Sequence, residues 1–215
     1  MNNIDGRLCL VADMEAARGK DLALIVTGAV EGGITLLQLR AKKLNSRPFL
    51  DLALKLRPLV RSAGIPLIIN DRVDIALASG ADGVHLGQND MPLAAARKLL
   101  GEDAVIGISA NTVEEARDAE SEGADYIGLS PVYSTPSKTD TDPPIGLVGV
   151  GRLTEAVSIP GIAIGGINRA NATDIFLAGA AGIAVISAIM AAEDVRQAAA
   201  ELRQIADTVR SHFLL

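Results

Sequence analysis

The sequence predicts a single (β/α)8 TIM barrel, an α/β fold spanning residues 1–215, and two observations support this prediction. Short apolar runs alternate with amphipathic stretches along the whole chain, which is the pattern of βα units around a parallel sheet. Related turns that contain glycine precede every second apolar run, as in Ser79-Gly80-Ala81-Asp82 and Glu122-Gly123-Ala124-Asp125. This repeat of about two βα modules fits a barrel whose interior layers are filled by alternate strands.

Eight apolar runs are predicted to form strands, each followed by a helical stretch. A doubly wound open sheet is the alternative, but no Gly-x-Gly-x-x-Gly turn follows the first run. Glycine in the turns has a physical reason, because a helix often ends in a left-handed residue before the next strand. The predicted strands are Leu8–Asp13, Thr35–Arg40, Leu67–Asp71, Gly83–Gly87, Val105–Ser109, Tyr126–Ser130, Gly161–Gly165 and Ile183–Ser187.

The amino-acid composition indicates which binding partners and which cellular compartment to expect. The chain has 215 residues, of which 49% are hydrophobic, and a net charge of -6, which suits one domain with a substantial core. It lacks basic runs and has 2% aromatic residues, so we expect no nucleic-acid partner. Short apolar runs and the absence of a signal-peptide pattern lead us to expect no membrane partner and a cytoplasmic location. Cys9 lies in an apolar run, where a buried structural thiol is expected.

Polar residues at the carboxyl ends of barrel strands face the active site, whereas those before the strands serve stability. Asp82 and Asp125 precede strands and are therefore assigned to the structural face. Gln38, Arg40 and Lys42 recur with the strand period of two, so their side chains could point the same way. Two cations and an amide at one point indicate a phosphate or diphosphate ligand. A solvated strand end with a salt bridge is the alternative.

Asp71 and Asp90 follow neighbouring predicted strands, close enough for both carboxylates to bind one hard divalent cation. Magnesium suits this pair because it accepts few protein oxygens and bridges substrate phosphates, whereas zinc would need His or Cys ligands. The alternative role for Asp71 is a helix cap before Arg72. His85 lies inside the fourth predicted strand and is expected to be a barrel-interior histidine with its hydrogen bonds satisfied.

Two further segments point to a phosphorylated ligand. The longest gap between predicted elements, residues 131–146, contains hydroxyl side chains around Lys138, as expected of a loop that closes over a substrate. An ordinary disordered surface loop is the alternative. Small residues near Gly166 and Ser187 would let backbone N–H groups approach a phosphate after strands seven and eight, although a tight turn alone would also explain them.

The motifs at these positions are Gln38-Leu39-Arg40-Ala41-Lys42, Ile69-Asn70-Asp71-Arg72, Gly83-Val84-His85-Leu86-Gly87-Gln88 with Asp90, Ile106-Gly107-Ile108-Ser109, Thr135-Pro136-Ser137-Lys138, Ile164-Gly165-Gly166-Ile167 and Ile186-Ser187. In this order they resemble the thiamine phosphate synthase family over essentially the whole chain. The resemblance implies an enzyme that joins hydroxymethylpyrimidine diphosphate to hydroxyethylthiazole phosphate, with Mg2+ as cofactor and release of pyrophosphate.

The resemblance also implies roles for individual residues. Asp71 and Asp90 would bind magnesium, and the catalytic candidates are Arg40, Lys42, Ser109 and Lys138. The residues implied to bind the pyrimidine diphosphate are Gln38, Arg40, Lys42, Asn70 and Lys138, with Ser109 on the pyrimidine. Those implied to bind the thiazole phosphate are Thr135, Ser137, Gly166, Ile186 and Ser187. Leu39, Ala41 and Pro136 are further implied substrate contacts.

The chain departs from the family pattern at three positions, and two rival functions share its features. Ala41 replaces a usual acidic residue, Ser130 a usual glycine and Ser137 a usual threonine, for which we expect altered efficiency more than lost chemistry. The resemblance implies that the sibling thiazole tautomerase uses a histidine just after strand five, where this chain has Asn111. A non-catalytic protein that binds phosphorylated ligands is the second rival, and binding without turnover would distinguish it.

Overall fold

The computed structural model describes residues 4–134 and 143–213 and contains eight parallel strands in a closed barrel. Each strand pairs with its neighbours in chain order, and the first strand also pairs with the last. The predicted TIM barrel is therefore confirmed, and the open sheet is wrong. The strands are β1 (Leu8–Asp13), β2 (Leu36–Arg40), β3 (Leu67–Asn70), β4 (Gly83–Leu86), β5 (Val105–Ala110), β6 (Tyr126–Leu129), β7 (Gly161–Ile164) and β8 (Gly182–Val185).

Helices follow the strands and surround the barrel. Most pack against the helix of the next module, and the last helix packs against the first, so that the outer layer also closes. The helices of the described part are α1 (Leu22–Glu31), α2 (Ser46–Arg61), α3 (Val73–Ser79), α4 (Leu93–Leu100), α5 (Val113–Ser121), α6 (Gly146–Ala156), α7 (Ala172–Leu177), α8 (Ser187–Met190) and α9 (Val195–Phe213). Across residues 4–134 and 143–213, none of these helices is both long and apolar enough to cross a membrane.

The strand ends differ from the predicted ones by one or two residues, and two differences matter for the site. Asp71 was expected to end β3, but its backbone has a φ of 64°, which takes its side chain out of the strand alternation. Ser187 was expected to end β8, but it begins the short helix α8. Both residues therefore lie beyond the ends of their strands, where their position does not follow from strand periodicity.

The turns before even strands contain the expected left-handed glycines. Gly80 ends α3 with a φ of 62°, and Gly123 follows α5 with a φ of 89°. A residue with a β-carbon is disfavoured in this conformation. The glycine in the repeated tag therefore reverses the chain between a helix and the next strand.

The acidic residues before β4 and β6 join adjacent strands at the amino-terminal end of the barrel. Asp82 Oδ2 accepts a hydrogen bond of 2.8 Å from the backbone N–H of Leu67. Asp125 Oδ2 accepts from the backbone N–H of Ile106 and from Arg97 Nη2, each at 2.9 Å. Their predicted assignment to the structural face is confirmed, because both carboxylates bind the backbone of a neighbouring strand at the end opposite the polar rim.

Replacing Asp125 by alanine is expected to lower the free energy of unfolding by about 3 kcal/mol. The Arg97 side chain is 16% exposed, and it would lose its buried ionic partner while Ile106 loses a hydrogen-bond acceptor. Urea denaturation followed by circular dichroism measures the change. The control is Asp74→Ala, which removes an exposed ion pair with Arg72 and should cost no more than about 1 kcal/mol. Equal losses in the two variants would contradict the assignment.

Candidate active site

A narrow polar cavity lies inside the barrel. Its polar lining lies on β2 to β6, while β1, β7 and β8 contribute mainly apolar and small side chains. The cavity therefore has a polar side and an apolar side, as expected of a site for a heterocycle with a few oriented polar groups. The lining residues are Cys9, Val11, Gln38, Arg40, Asn70, His85, Ser109, Tyr126, Gly128, Ile162, Ile164 and Ala184.

Arg40 supplies the positive charge of this cavity and is held by Asp13. The two residues are register partners on β2 and β1, and Arg40 Nη1 donates to Asp13 Oδ2. The other oxygen of Asp13 accepts from the backbone N–H groups of Glu15 and Ala16 at 2.8 and 2.9 Å. Arg40 Nε is buried and has no hydrogen-bond partner in the described part of the chain, so a ligand oxygen would complete its hydrogen bonding.

Gln38 and Asn70 form a second polar pair on adjacent strands. Gln38 Nε2 donates to Asn70 Oδ1 at 3.0 Å, and both side chains are buried. Because each amide carries further donor and acceptor atoms, the pair can still bind a polar ligand. The structure thus brings Gln38, Arg40 and Asn70 together in one cavity.

His85 lies beside this pair and connects two hydroxyl groups. Its Nδ1 is 3.0 Å from the hydroxyl of Tyr126, and its Nε2 is 3.0 Å from Ser109 Oγ. The expectation of a barrel-interior histidine with satisfied hydrogen bonds is confirmed. Ser109, the predicted ligand of the heterocycle, therefore lines the cavity with its hydroxyl fixed by the histidine.

Asp71 and Asp90 meet at the carboxyl-terminal rim, on the turns after β3 and β4. Asp90 lies close enough to Asp71 for its charge to act on that carboxylate, and Lys42 Nζ lies 3.4 Å from Asp71 Oδ2. Burial and the charge of Asp90 raise the pKa of Asp71, although Lys42 opposes the shift. The helix-cap alternative is wrong, because Arg72 is the N-cap of α3. Two carboxylates with one lysine form an oxygen-rich, incompletely neutralised pair that fits a divalent cation.

Lys42 lies apart from the other two residues of its motif. Gln38 and Arg40 line the cavity, whereas Lys42 follows the end of β2 and is about half exposed beside Asp71. The intervening residues Leu39 and Ala41 are buried among the core side chains and do not line the cavity. The predicted alternation is thus correct for two of the three polar residues, and Lys42 belongs to the carboxylate pair.

The segment after β7 forms a tight, glycine-dependent turn. Gly166 has a φ of 65°, and a β-carbon there would lie 2.9 Å from Tyr133 Cβ and 3.0 Å from the carbonyl oxygen of Ser134. A side chain is therefore excluded sterically as well as conformationally. Nearby, Ile186 is buried and Ser187 begins α8. The loop residues Thr135, Pro136, Ser137 and Lys138 lie outside the described residues.

Sequence reasoning missed two residues of the site. Asp13 is the last residue of β1, so the strand-end rule that selected Asp71 and Asp90 would also have found it. Tyr126 begins β6, where a polar hydroxyl is not expected at the cavity. Its ring reaches the cavity because it is long and because Gly107 on β5 leaves room for it.

The fold and site together define a (β/α)8 barrel with a polar cavity inside it and a pair of carboxylates at its carboxyl-terminal rim, the end at which enzymes of this fold carry their active sites. A family model described as thiamine monophosphate synthase matches residues 8–189. The chain therefore belongs to the thiamine monophosphate synthase family.

Curated relatives and a solved structure agree with this assignment. Thiamine-phosphate synthase of Chloroflexus aurantiacus is 48% identical over 211 residues, which cover 98% of this chain and 97% of that protein. The synthase of Albidiferax ferrireducens is 51% identical and covers 94% and 93%. The structure of thiamine phosphate pyrophosphorylase from Pyrococcus furiosus is 42% identical, with a TM-score of 0.87 over 95% of this chain and 97% of that one.

Asp71→Asn is expected to raise the free energy of unfolding in metal-free buffer at pH 7. The two carboxylates repel each other, and two unit charges a few ångströms apart near water interact by on the order of 1 kcal/mol. Asparagine tolerates the left-handed backbone of this position as well as aspartate does. Chemical denaturation in the presence of a chelator measures the change. The comparison is Asp118→Asn on α5, which should leave stability within about 0.5 kcal/mol; a loss of stability in Asp71→Asn would contradict the repulsion.

Proposed function

We propose that this chain is a thiamine-phosphate synthase that joins hydroxymethylpyrimidine diphosphate to hydroxyethylthiazole phosphate and releases pyrophosphate. Family membership supports the reaction. The observation that carries the proposal for this chain is the paired carboxylates of Asp71 and Asp90, which lie with Lys42 at the rim of the polar cavity. This arrangement suits a diphosphate held through a divalent cation above a heterocycle.

In the proposed complex the pyrimidine ring occupies the barrel cavity. Gln38 and Asn70 would bind its polar edge, because their amides retain donor and acceptor capacity beyond their mutual hydrogen bond. Ser109 would contact the ring from β5. The apolar side formed by Val11 and Ile164 would pack against the ring.

The diphosphate would lie toward the rim, between Arg40 and the carboxylate pair. Arg40 Nε is buried and available to a ligand oxygen, and Lys42 is positioned by Asp71. Asp71 and Asp90 would hold Mg2+, which when bound supplies charge neutralisation to the diphosphate oxygens. Lys138 of the loop is proposed to contribute a further positive charge to the leaving group.

The chemistry proposed is dissociative, as the family resemblance implies. The bond between the pyrimidine methylene and the diphosphate oxygen breaks, and the electron-rich aminopyrimidine supports the resulting cation. The thiazole nitrogen then forms a bond to the methylene carbon. Such a reaction depends on positioning and on stabilising the departing charge, and it needs no side-chain nucleophile. The two hydrogen bonds of His85 inside the barrel accord with a structural histidine.

Lys42 has an acidic partner in Asp71 although Ala41 replaces the acidic residue usual in the family. Ala41 is buried, and the ion pair with Asp71 orients Lys42 instead. We infer that binding of a cation by Asp71 would weaken this ion pair and release Lys42 toward the diphosphate. The thiazole phosphate would bind near Gly166, Ile186 and Ser187, where the missing side chain of Gly166 lets the turn after β7 pack closely against Tyr133 and Ser134.

Mixing the protein with both substrates and Mg2+ should yield pyrophosphate and thiamine phosphate in equal amounts. Asp71→Asn and Asp90→Asn should each lower kcat/KM by roughly two or more powers of ten, because they weaken the cation site while preserving side-chain shape. Coupled pyrophosphate release and chromatography of the product measure the rates. Rearrangement of the thiazole phosphate without the pyrimidine would instead indicate the tautomerase, and binding of both compounds without turnover would indicate a binding protein.

Lys138→Ala should lower kcat by roughly two or more powers of ten if its charge stabilises the departing diphosphate. The matched control is Lys98→Ala, which removes an exposed lysine from the outer helix α4 and should leave kcat within about twofold. Steady-state kinetics with saturating substrates measure both. An unchanged kcat in Lys138→Ala would remove the loop lysine from the proposed mechanism.

A further inference from the structure

We propose that Tyr126 and His85 act as positioning residues that fix the direction of the Ser109 hydroxyl. In this arrangement Tyr126 donates to His85, His85 donates to Ser109, and Ser109 therefore presents its hydrogen to the ligand. The cavity would then recognise a hydrogen-bond acceptor on the bound heterocycle at this point. The contribution to substrate binding rests on the proposed function, whereas the direction of the hydrogen bonds does not.

The three side chains form a continuous chain across β6, β4 and β5. Both hydrogen-bond distances to the imidazole are 3.0 Å, and the His85 and Tyr126 rings stack with centroids 5.5 Å apart. Two glycines provide the space that these rings occupy. A β-carbon at Gly107 would lie 2.1 Å from the Tyr126 ring, and one at Gly128 would lie 2.9 Å from His85 Cε1. The backbone of the neighbouring strands therefore accommodates the arrangement.

The hydroxyl of Tyr126 determines the direction of the chain. The residue is 3% exposed, and burial raises the pKa of its phenol well above the usual value, so the hydroxyl keeps its hydrogen. Within residues 4–134 and 143–213, the hydrogen-bond partner of this oxygen is His85 Nδ1. If Nδ1 carried a hydrogen, the phenol could only accept, and its own buried hydrogen would lack an acceptor at a cost of about 1–3 kcal/mol. The geometry therefore favours an unprotonated Nδ1.

An imidazole with an unprotonated Nδ1 carries its hydrogen on Nε2. Nε2–H then donates to Ser109 Oγ, which leaves the hydroxyl hydrogen of Ser109 for another acceptor. The backbone of Ser109 is also held, because Gln88 Nε2 donates to its carbonyl oxygen at 2.6 Å. With its position and its acceptor role both fixed, the Ser109 hydroxyl enters the cavity as a donor. A ring nitrogen of an aminopyrimidine is an acceptor of the required type.

The first test observes the histidine directly in the ligand-free protein. The sequence contains two histidines, so a 15N-histidine spectrum contains two imidazoles, and a His212→Asn variant assigns the remaining one to His85. Long-range 1H–15N correlation is expected to show His85 with hydrogen on Nε2 and none on Nδ1. In Tyr126→Phe the hydrogen-bonded Nδ1 signal should shift, and the Nδ1–H tautomer should become populated. Hydrogen on Nδ1 in the unchanged protein, alone or with Nε2, would overturn the proposal.

The second test asks whether Tyr126 acts through Ser109. Tyr126→Phe should lower kcat/KM by roughly three- to tenfold, the effect of weakening one hydrogen bond, and should do so by raising KM for the pyrimidine substrate. KM for the thiazole phosphate should not change. In a Ser109→Ala background the same substitution should have less than about a twofold effect, because residues of one network are not additive. Independent, multiplicative losses would exclude the positioning role.

Thr154→Val is the matched control for loss of a hydroxyl. Among the residues that the structure describes, Thr154 Oγ1 donates only to backbone carbonyls of its own helix α6, so the variant should leave both KM values unchanged. If Tyr126→Phe changes the kinetics no more than Thr154→Val does, the proposal fails even where the tautomer is as expected. If the unchanged protein shows Nε2–H yet forms no thiamine phosphate, the proposed function fails while the hydrogen-bond direction stands.

Discussion

The closure of eight parallel strands into one barrel is the constraint on which the rest of this structure depends. Because all eight strands are parallel, every strand ends at the same rim, and because β1 pairs with both β2 and β8, the turns at that rim form a closed ring. Asp71 and Asp90 come together there because they follow the paired strands β3 and β4, and the residues around Gly166 and Ser187 follow the paired strands β7 and β8. Closure also removes the sheet edges, so polar side chains in the interior must find their partners inside the barrel.

The interior satisfies that requirement with hydrogen bonds that cross from one strand to another. Asp13 binds Arg40, Gln38 binds Asn70, and His85 binds Ser109 and Tyr126. Burying charged and polar groups is unfavourable unless each is paired, so these pairs fix side-chain directions as well as reducing the cost of burial. The atoms left over, such as Arg40 Nε, are then the ones that a ligand can satisfy. A ligand site arises here from incomplete pairing in an otherwise satisfied interior.

The sequence predicted the strands and the polar rim because both follow from local rules. Apolar runs located the strands to within two residues, and the strand-end rule selected Gln38, Arg40, Asp71 and Asp90. The expected strand ends were wrong where the chain leaves the strand. The left-handed backbone of Asp71 and the start of α8 at Ser187 depend on turn geometry, which strand periodicity does not encode. Tyr126 was missed because its ring reaches the cavity through the space that Gly107 leaves on the adjacent strand. That space depends on how β5 and β6 pack together, which the sequence of a single strand does not show.

The buried thiol of Cys9 has a practical consequence for work on this enzyme. Burial raises the pKa of Cys9 to about 12, so at pH 7 only on the order of one molecule in 10⁵ carries the thiolate that reacts with alkylating or oxidising agents. Since Cys9 is the single cysteine of the chain, the natural sequence is close to a cysteine-free background. A cysteine engineered at an exposed position would accept a fluorophore or spin label selectively, with Cys9 left in place as part of the cavity wall.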